Sequence, residues 1–271
     1  MKRSIFGLIV LVPILMSCAE DEEKVIQTDL PTEASQLFSI SKDWNESLYF
    51  AMITWKEYQQ VDSLNLPGCP AIHLDQVRKV VTLDFLAGST CTQSGEYSRS
   101  GKLTIKFEDS LANSINQWTL TYDDYHFGSK KIEGIRTFTR NGSDEVLEEF
   151  NDLIESTETN LSTEFSGKFT HTKAYVNDSL VSFSSTGSLS GLNAVGREFE
   201  IAINAPVNRF INCLQENEVL PKVGAENWFV SRGGNSEVSY LTTYEVLVDE
   251  CKVAANTMLP DGRKLLLNPK K

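Results

Sequence analysis

Only three histidines occur in the chain, His73, His126 and His171. None stands at i, i+4 from another or beside a cysteine pair, so the ligand spacing of a histidine zinc site is missing. Cys69, Cys91, Cys213 and Cys251 lie far apart, without the C-x2-C pairs of a thiolate zinc site. The G-x-S-x-G and H-E-x-x-H motifs are absent. Serines are plentiful, so the residue types of a Ser-His-acid relay are present without a local signature for one. Glycosidase chemistry needs two facing carboxylates. Asp84, Asp123, Asp124 and Glu133 are candidates mainly because the chain holds 37 acidic residues, and Asp123-Asp124 reads more naturally as a turn or a wet face. No EF-hand-like loop occurs. No catalytic residue, metal ligand or cofactor is expected. The aromatic side chains are a better lead. Trp118, Tyr122 and Tyr125, with Tyr240 and Tyr244, lie on or beside strand-like stretches. As exposed rings the first three would form a platform for sugar faces; in the ordinary reading they are the buried face of a sheet.

The chain's beginning carries another chemistry. Lys2 and Arg3 precede an apolar run from Ile5 to Leu15, followed by Met16, Ser17 and Cys18. A charged start, a short apolar core and small residues before a cut site make a secretory signal over residues 1–17. The apolar run falls well short of the ~20 residues needed to span a bilayer. Leu15, Ser17 and Cys18 resemble a bacterial lipobox. The resemblance implies that Cys18 takes a thioether diacylglycerol and becomes the mature N-terminus, and multiple acyl chains give a stable anchor. Residues 18–32 then read as a lipidated acidic tether. Its run Glu20-Asp21-Glu22-Glu23 resembles the surface-export signal of Bacteroides- and flavobacterium-type lipoproteins, which implies display on the outside of the outer membrane.

Loss of Lys2 and Arg3 leaves 23 basic residues against 37 acidic ones and moves the formal charge from −12 to −14. A chain this acidic is a poor partner for nucleic acid and for anionic lipid. With Cys18 given to lipid, four cysteines remain, and an even number in an exported chain reads as disulfides. Three connectivities are open. Neighbours in sequence suggest Cys69–Cys91 and Cys213–Cys251.

The elements that must position these residues change character along the chain. Between residues 33 and 65, Trp44, Leu48, Met52 and Trp55 recur at helical spacing. Ser41 or Asp43 would cap that helix. Leu66-Pro67-Gly68-Cys69-Pro70 then breaks it. From residue 66 to 271 the period is two. Val80 to Phe85, Lys102 to Glu108, Trp118 to Tyr122, Glu198 to Ile203 and Val238 to Val248 read as strands. Glu145 to Ser156 is ambiguous and is assigned to strand, because a hairpin turn precedes it. Asn141-Gly142, Asn177-Asp178, Gly233-Gly234-Asn235 and Asp261-Gly262 suit tight hairpin turns. The expected fold is all-β, mainly antiparallel and hairpin-rich, a sandwich or a wide twisted sheet, with an N-terminal helical segment.

Scattered motifs carry a second resemblance. They are Gly68-Cys69-Pro70, Thr82-Leu83-Asp84-Phe85 with Cys91, Gly95, Arg99-Ser100-Gly101-Lys102, Tyr122-Asp123-Asp124-Tyr125, Lys131-Ile132-Glu133-Gly134, Thr139 with Asn141-Gly142, and Leu259-Pro260-Asp261-Gly262 with the late cysteines. Together they resemble a group of uncharacterised β-rich surface lipoproteins of the same bacterial lineage. That group implies a wide antiparallel fold on a lipid anchor and no activity. Asp62-Ser63-Leu64, Asp109-Ser110-Leu111 and Asp178-Ser179-Leu180 are similar to the O-glycosylation acceptor of that lineage, which makes Ser63, Ser110 and Ser179 candidates. The expected function is a non-enzymatic binding or structural role at the outer membrane, with a glycan or surface protein as partner. The alternative is a surface hydrolase acting on glycan or peptide.

Overall fold

Pro31 sets the start of the first helix. Its ring holds φ near the helical value, and its missing N–H falls where a helix has no internal partner to offer. Helix α1 accordingly runs Leu30–Glu46, three residues earlier than the sequence pattern suggested. Ser41 and Asp43, expected as caps, therefore lie inside the helix. The protein is seen here as a computed structural model, which describes residues 29–85, 91, 97–109, 115–177, 179–233, 236–247 and 251–269. Cys18 with its leader, most of the acidic tether, and Ser110 lie outside the described residues. After α1 come α2 (Leu48–Met52), α3 (Trp55–Tyr58) and a 3-10 turn (Ser63–Asn65). Thr54 and Glu57 form a capping box on α3, each side chain satisfying the other's backbone N–H.

Among the described residues fourteen strands follow in one sheet: β1 (Ala71–Asp75), β2 (Val80–Phe85), β3 (Arg99–Asp109), β4 (Ile115–Phe127), β5 (Lys130–Glu133), β6 (Ile135–Asn141), β7 (Glu145–Thr157), β8 (Ser162–Val176), β9 (Ser179–Leu192), β10 (Glu198–Phe210), β11 (Val223–Ser231), β12 (Glu237–Val246), β13 (Val253–Met258) and β14 (Lys264–Leu266). A short helix, α4 (Ile211–Gln215), interrupts the β-region between β10 and β11. The strands pair antiparallel and almost wholly in chain order. The exception is β5 and β6, which both pair with β4 and with β7. They act as one strand broken at Gly134, whose φ of +131° suits glycine. The architecture is thus all-β and antiparallel with an N-terminal helical segment, as expected, and of the two forms foreseen it is the wide sheet.

The sheet curls around α1. Side chains from β3, β4, β5, β6, β7, β10, β11 and β12 hydrogen-bond to residues of α1 or to Ser47 behind it. Lys173 of β8 reaches the Met52 carbonyl at 2.9 Å. The helices and the strands therefore share one hydrophobic core. The break at Leu66–Pro70 is a change of element and not a boundary between separately packed units. A helix buried on one face needs polar residues only on the other. This one is enclosed, so its polar residues meet polar side chains pointing inward from the strands.

Two disulfides close the chain as its neighbouring cysteines suggested. Cys69–Cys91 joins the lead-in to β1 with the β2–β3 connection, and Cys213–Cys251 joins α4 with the β12–β13 connection.

Candidate functional site

The strand period decides where the predicted aromatic platform lies. On β4, alternate residues Trp118, Leu120 and Tyr122 point to one face, and that face is the helix side. Trp118 is 4 % exposed, Tyr122 7 % and Tyr125 0 %. Their polar atoms are used internally. Trp118 Nε1 donates to the Ala51 carbonyl at 2.9 Å, the Tyr122 hydroxyl meets Ser47 Oγ at 2.8 Å, and the Tyr125 hydroxyl donates to Glu46 at 2.8 Å. These rings are core and do not form a sugar-stacking face. Tyr240 and Tyr244 are buried in the same way. Three of the four candidate carboxylates sit in ordinary ion pairs, Asp84 with Lys102 at 3.3 Å and Asp124 and Glu133 both with Lys131, and Asp123 is exposed on β4. His73 is exposed on β1, and among the described residues no group of His, Cys, Asp and Glu is placed to hold a metal ion. Ser63 donates to the Pro70 carbonyl, whereas Ser179 opens β9 and is exposed.

The constellation closest to catalytic geometry was not legible from motifs. Glu148 on β7, His171 on β8 and Ser185 on β9 meet on the inner face of three neighbouring strands. His171 Nε2 lies 2.9 Å from Glu148 Oε2, and its Nδ1 lies 2.8 Å from Ser185 Oγ. Burial pushes the Glu148 carboxyl up, but Arg136 at 2.5 Å and the hydrogen bond from His171 outweigh it and hold the group at about 2. An ionised Glu148 can only accept, so Nε2 carries the hydrogen and Nδ1 accepts from the serine hydroxyl. Burial also pushes His171 down, keeping it neutral, with Arg209 and Arg136 adding to the effect against Glu148. The order acid, histidine, serine is that of a hydrolase relay. Its setting is different. Glu148, His171 and Ser185 are each fully or almost fully buried. Trp44 lies over them, donating to Glu148 and stacking on Phe169 at 3.9 Å between ring centres. Arg209, held by Asn45, donates to Ser185 Oγ at 3.1 Å. A substrate carbonyl has no path to that hydroxyl. What the relay does is fasten helix α1 to strands β6 through β10.

Further ion clusters line the same helix. Glu46 accepts from Arg99 and Tyr125. Glu226 accepts from Ser41, Trp228 and Tyr244. Lys130 bridges Asp43 and Glu155; burial raises the Glu155 carboxyl, and the Asp43 charge beside it adds to the rise against the pull of Lys130. At the start of the helix Glu33 is gripped by Arg197, Arg232 and Tyr240, from beside the β9–β10 and β11–β12 turns.

The open site lies at the other end of the helical segment. A cleft of about 500 Å³ is bounded by α2 and α3, by the ends of β8 and β9, and by α4. Tyr49, Thr54, Glu57, Tyr175, Leu180 and Gln215 line it. Tyr175 is 41 % exposed. Gln215 Nε2 donates to the Tyr49 hydroxyl at 3.4 Å. Burial pushes Tyr49 up to about 12, with the nearby Glu57 charge adding to it. Both hydrogen bonds that Glu57 accepts, from the Thr54 backbone and hydroxyl at 2.7 Å each, fall on Oε2. A second depression, about 510 Å³, lies at the Glu33 end and is lined by Glu198, Glu200, Phe229 and Glu237.

No protein-family model, no curated protein and no solved structure matches this chain. The cleft is therefore read from its own geometry. No sequence signal announced it, because its walls come from three segments far apart in the chain: residues 49–61, 175–180 and 211–215.

Proposed function

We propose that this protein is a lipid-anchored lipoprotein of the outer membrane, facing the cell exterior, whose folded part serves a non-enzymatic binding role through the cleft at α2–α3. The observation that carries the reading is the opposition of the two ends. The tether would enter at Asp29, beside the Glu33 grip on the β9–β10 and β11–β12 turns. Helix α1 then runs inward for 17 residues, roughly 25 Å at the usual rise. The cleft lies beyond its far end. A chain held at Cys18 would keep the second depression toward the membrane and turn the cleft away from it. The acidic tether can extend to at most about 40 Å between Cys18 and Asp29, room for the domain to clear the headgroups. Among the described residues no helix is long and apolar enough to cross a membrane.

Metabolic labelling with a fatty acid tests the anchor. The wild-type chain is expected to take up label and fractionate with the outer membrane, and Cys18→Ser to lose both. Label retained in Cys18→Ser would contradict the anchor.

A further inference from the structure

We propose that the cleft between α3, the β8–β9 ends and α4 binds a neutral glycan chain. The assignment rests on the binding role above and gives it a ligand class. Sugars present two chemistries at once, rings of hydroxyls and flat C–H faces, and a site for them needs hydrogen-bonding side chains beside an open aromatic ring. The cleft supplies both. Tyr175 offers an exposed ring. Gln60 and Gln215 offer amides that donate and accept, and Ser179 offers a hydroxyl. Glu57 accepts the two hydrogen bonds from Thr54 on Oε2, and a carboxylate has a second oxygen that can accept from a sugar hydroxyl. Lys56 lies next to Glu57 in the lining, so the cleft carries no excess of either charge.

Other ligand classes fit less well. A polyanion would be repelled by a chain whose formal charge is −12. An extended peptide adds to a sheet through an unpaired strand edge. Here β8 and β9 pair with each other to the hairpin end, their outer pairing with β7 and β10 reaches Thr172 and Ser182, and α4 packs on β9 beyond that point, which leaves only the short stretch Ala174 to Val176 of β8 as an edge of these two strands among the described residues. A small apolar ligand needs a deep pocket lined mainly by apolar groups, and this cleft is broad and half polar. The wall that carries Ile211 and Gln215 is braced by Cys213–Cys251, which holds α4 in place before ligand arrives.

Affinity electrophoresis of the purified full-length protein in non-ionic detergent provides the test. Native gels would contain an α-glucan, a β-glucan, a mannan, a xylan or an arabinogalactan, with polygalacturonate as the anionic comparison. The expected result is retardation by at least one neutral polysaccharide. Tyr175→Ala and Gln215→Ala should each weaken it roughly tenfold, in line with loss of a stacked ring or a buried hydrogen bond. Tyr175→Phe should keep it within about twofold, because the ring remains. Val195→Ala, at an exposed turn near the tether end, should leave it unchanged. Retardation by none of the five neutral polysaccharides overturns the proposal. So does retardation that survives both Tyr175→Ala and Gln215→Ala, or binding to polygalacturonate in place of a neutral chain. Binding is read on the purified chain whatever Cys18 carries, so a failed anchor and a failed ligand class give different results.

Discussion

At the scale of single residues, the interior is held by charges that are paired in place. Glu148 is the centre, since it accepts from Arg136, Trp44 and His171 at once. Replacing it leaves a buried guanidinium without its anion. Glu148→Gln is expected to cost about 3–5 kcal/mol, read as a lower midpoint in urea unfolding. The pH dependence follows from the same groups. Glu148 sits below the ordinary carboxyl value of 4.5, so its contribution is present above that value and lost as the pH falls through about 2. His171 sits below its ordinary 6.5, so its contribution is full above 6.5 and lost as the pH falls through its lowered folded value. Glu46 and Glu226, which burial raises, act in the opposite sense. The histidine's share is isolated by His171→Gln, whose amide keeps hydrogen bonds without titrating. The stability gap between wild type and variant should narrow from pH 7.5 to pH 5.5, by urea midpoints at both; a gap that widens would contradict the neutral assignment. Ser185 has the right neighbours for a nucleophile and no access. Fluorophosphonate should therefore leave native protein unlabelled at Ser185, and a label there by mass spectrometry would reopen the hydrolase reading. None of this was legible in the sequence. Glu148, His171 and Ser185 are 23 and 14 residues apart, and only strand register brings them together.

At the scale of elements, legibility followed the contrast between faces. Strands β2, β3, β4, β10 and β12 alternate apolar with polar residues and were readable. Strands β8 and β9 were not, although they are the two longest. Their inner faces mix Phe165 and Phe169 with Thr163, His171 and Lys173, and Phe183 with Ser185, because those positions serve the polar flank of α1. Inward-pointing polar residues break the hydrophobic alternation of these two strands. The helix start was misread for a related reason. Ser41 and Asp43 look like caps, yet they bond Glu226 and Lys130 from mid-helix, while Asp29 and Pro31 stand where the helix begins. Gly101 of β3 has φ +80°, and a Cβ there would lie 2.0 Å from the Asp124 carbonyl oxygen. Gly101→Ala should destabilise by more than about 2 kcal/mol in chemical unfolding, since both the backbone conformation and the neighbouring strand resist it. The disulfide on α4 closes 38 residues of separation. In the chain-entropy model the double change Cys213→Ser with Cys251→Ser should cost about 3–4 kcal/mol.

At the scale of the whole molecule, the sheet and the helix depend on each other. The strands bring Arg136, Arg209, Glu148 and Glu226 into the interior, and without α1 those charges would line an open trough. A chain beginning at Pro67 is therefore expected to lose near-ultraviolet circular dichroism and cooperative unfolding. In the proposed reading the same arrangement would orient the molecule, since Asp29 and the cleft lie at opposite ends of the helical segment. In that reading Cys18 and the acidic run beside it would supply the chemistry of attachment, and the cleft would face away from it. Protease treatment of intact cells, followed with an antibody to this protein, tests that account most directly. The account predicts that the protein is shed or digested while periplasmic markers survive. Persistence of the intact protein until the outer membrane is opened would contradict surface display and return the cleft to a periplasmic ligand.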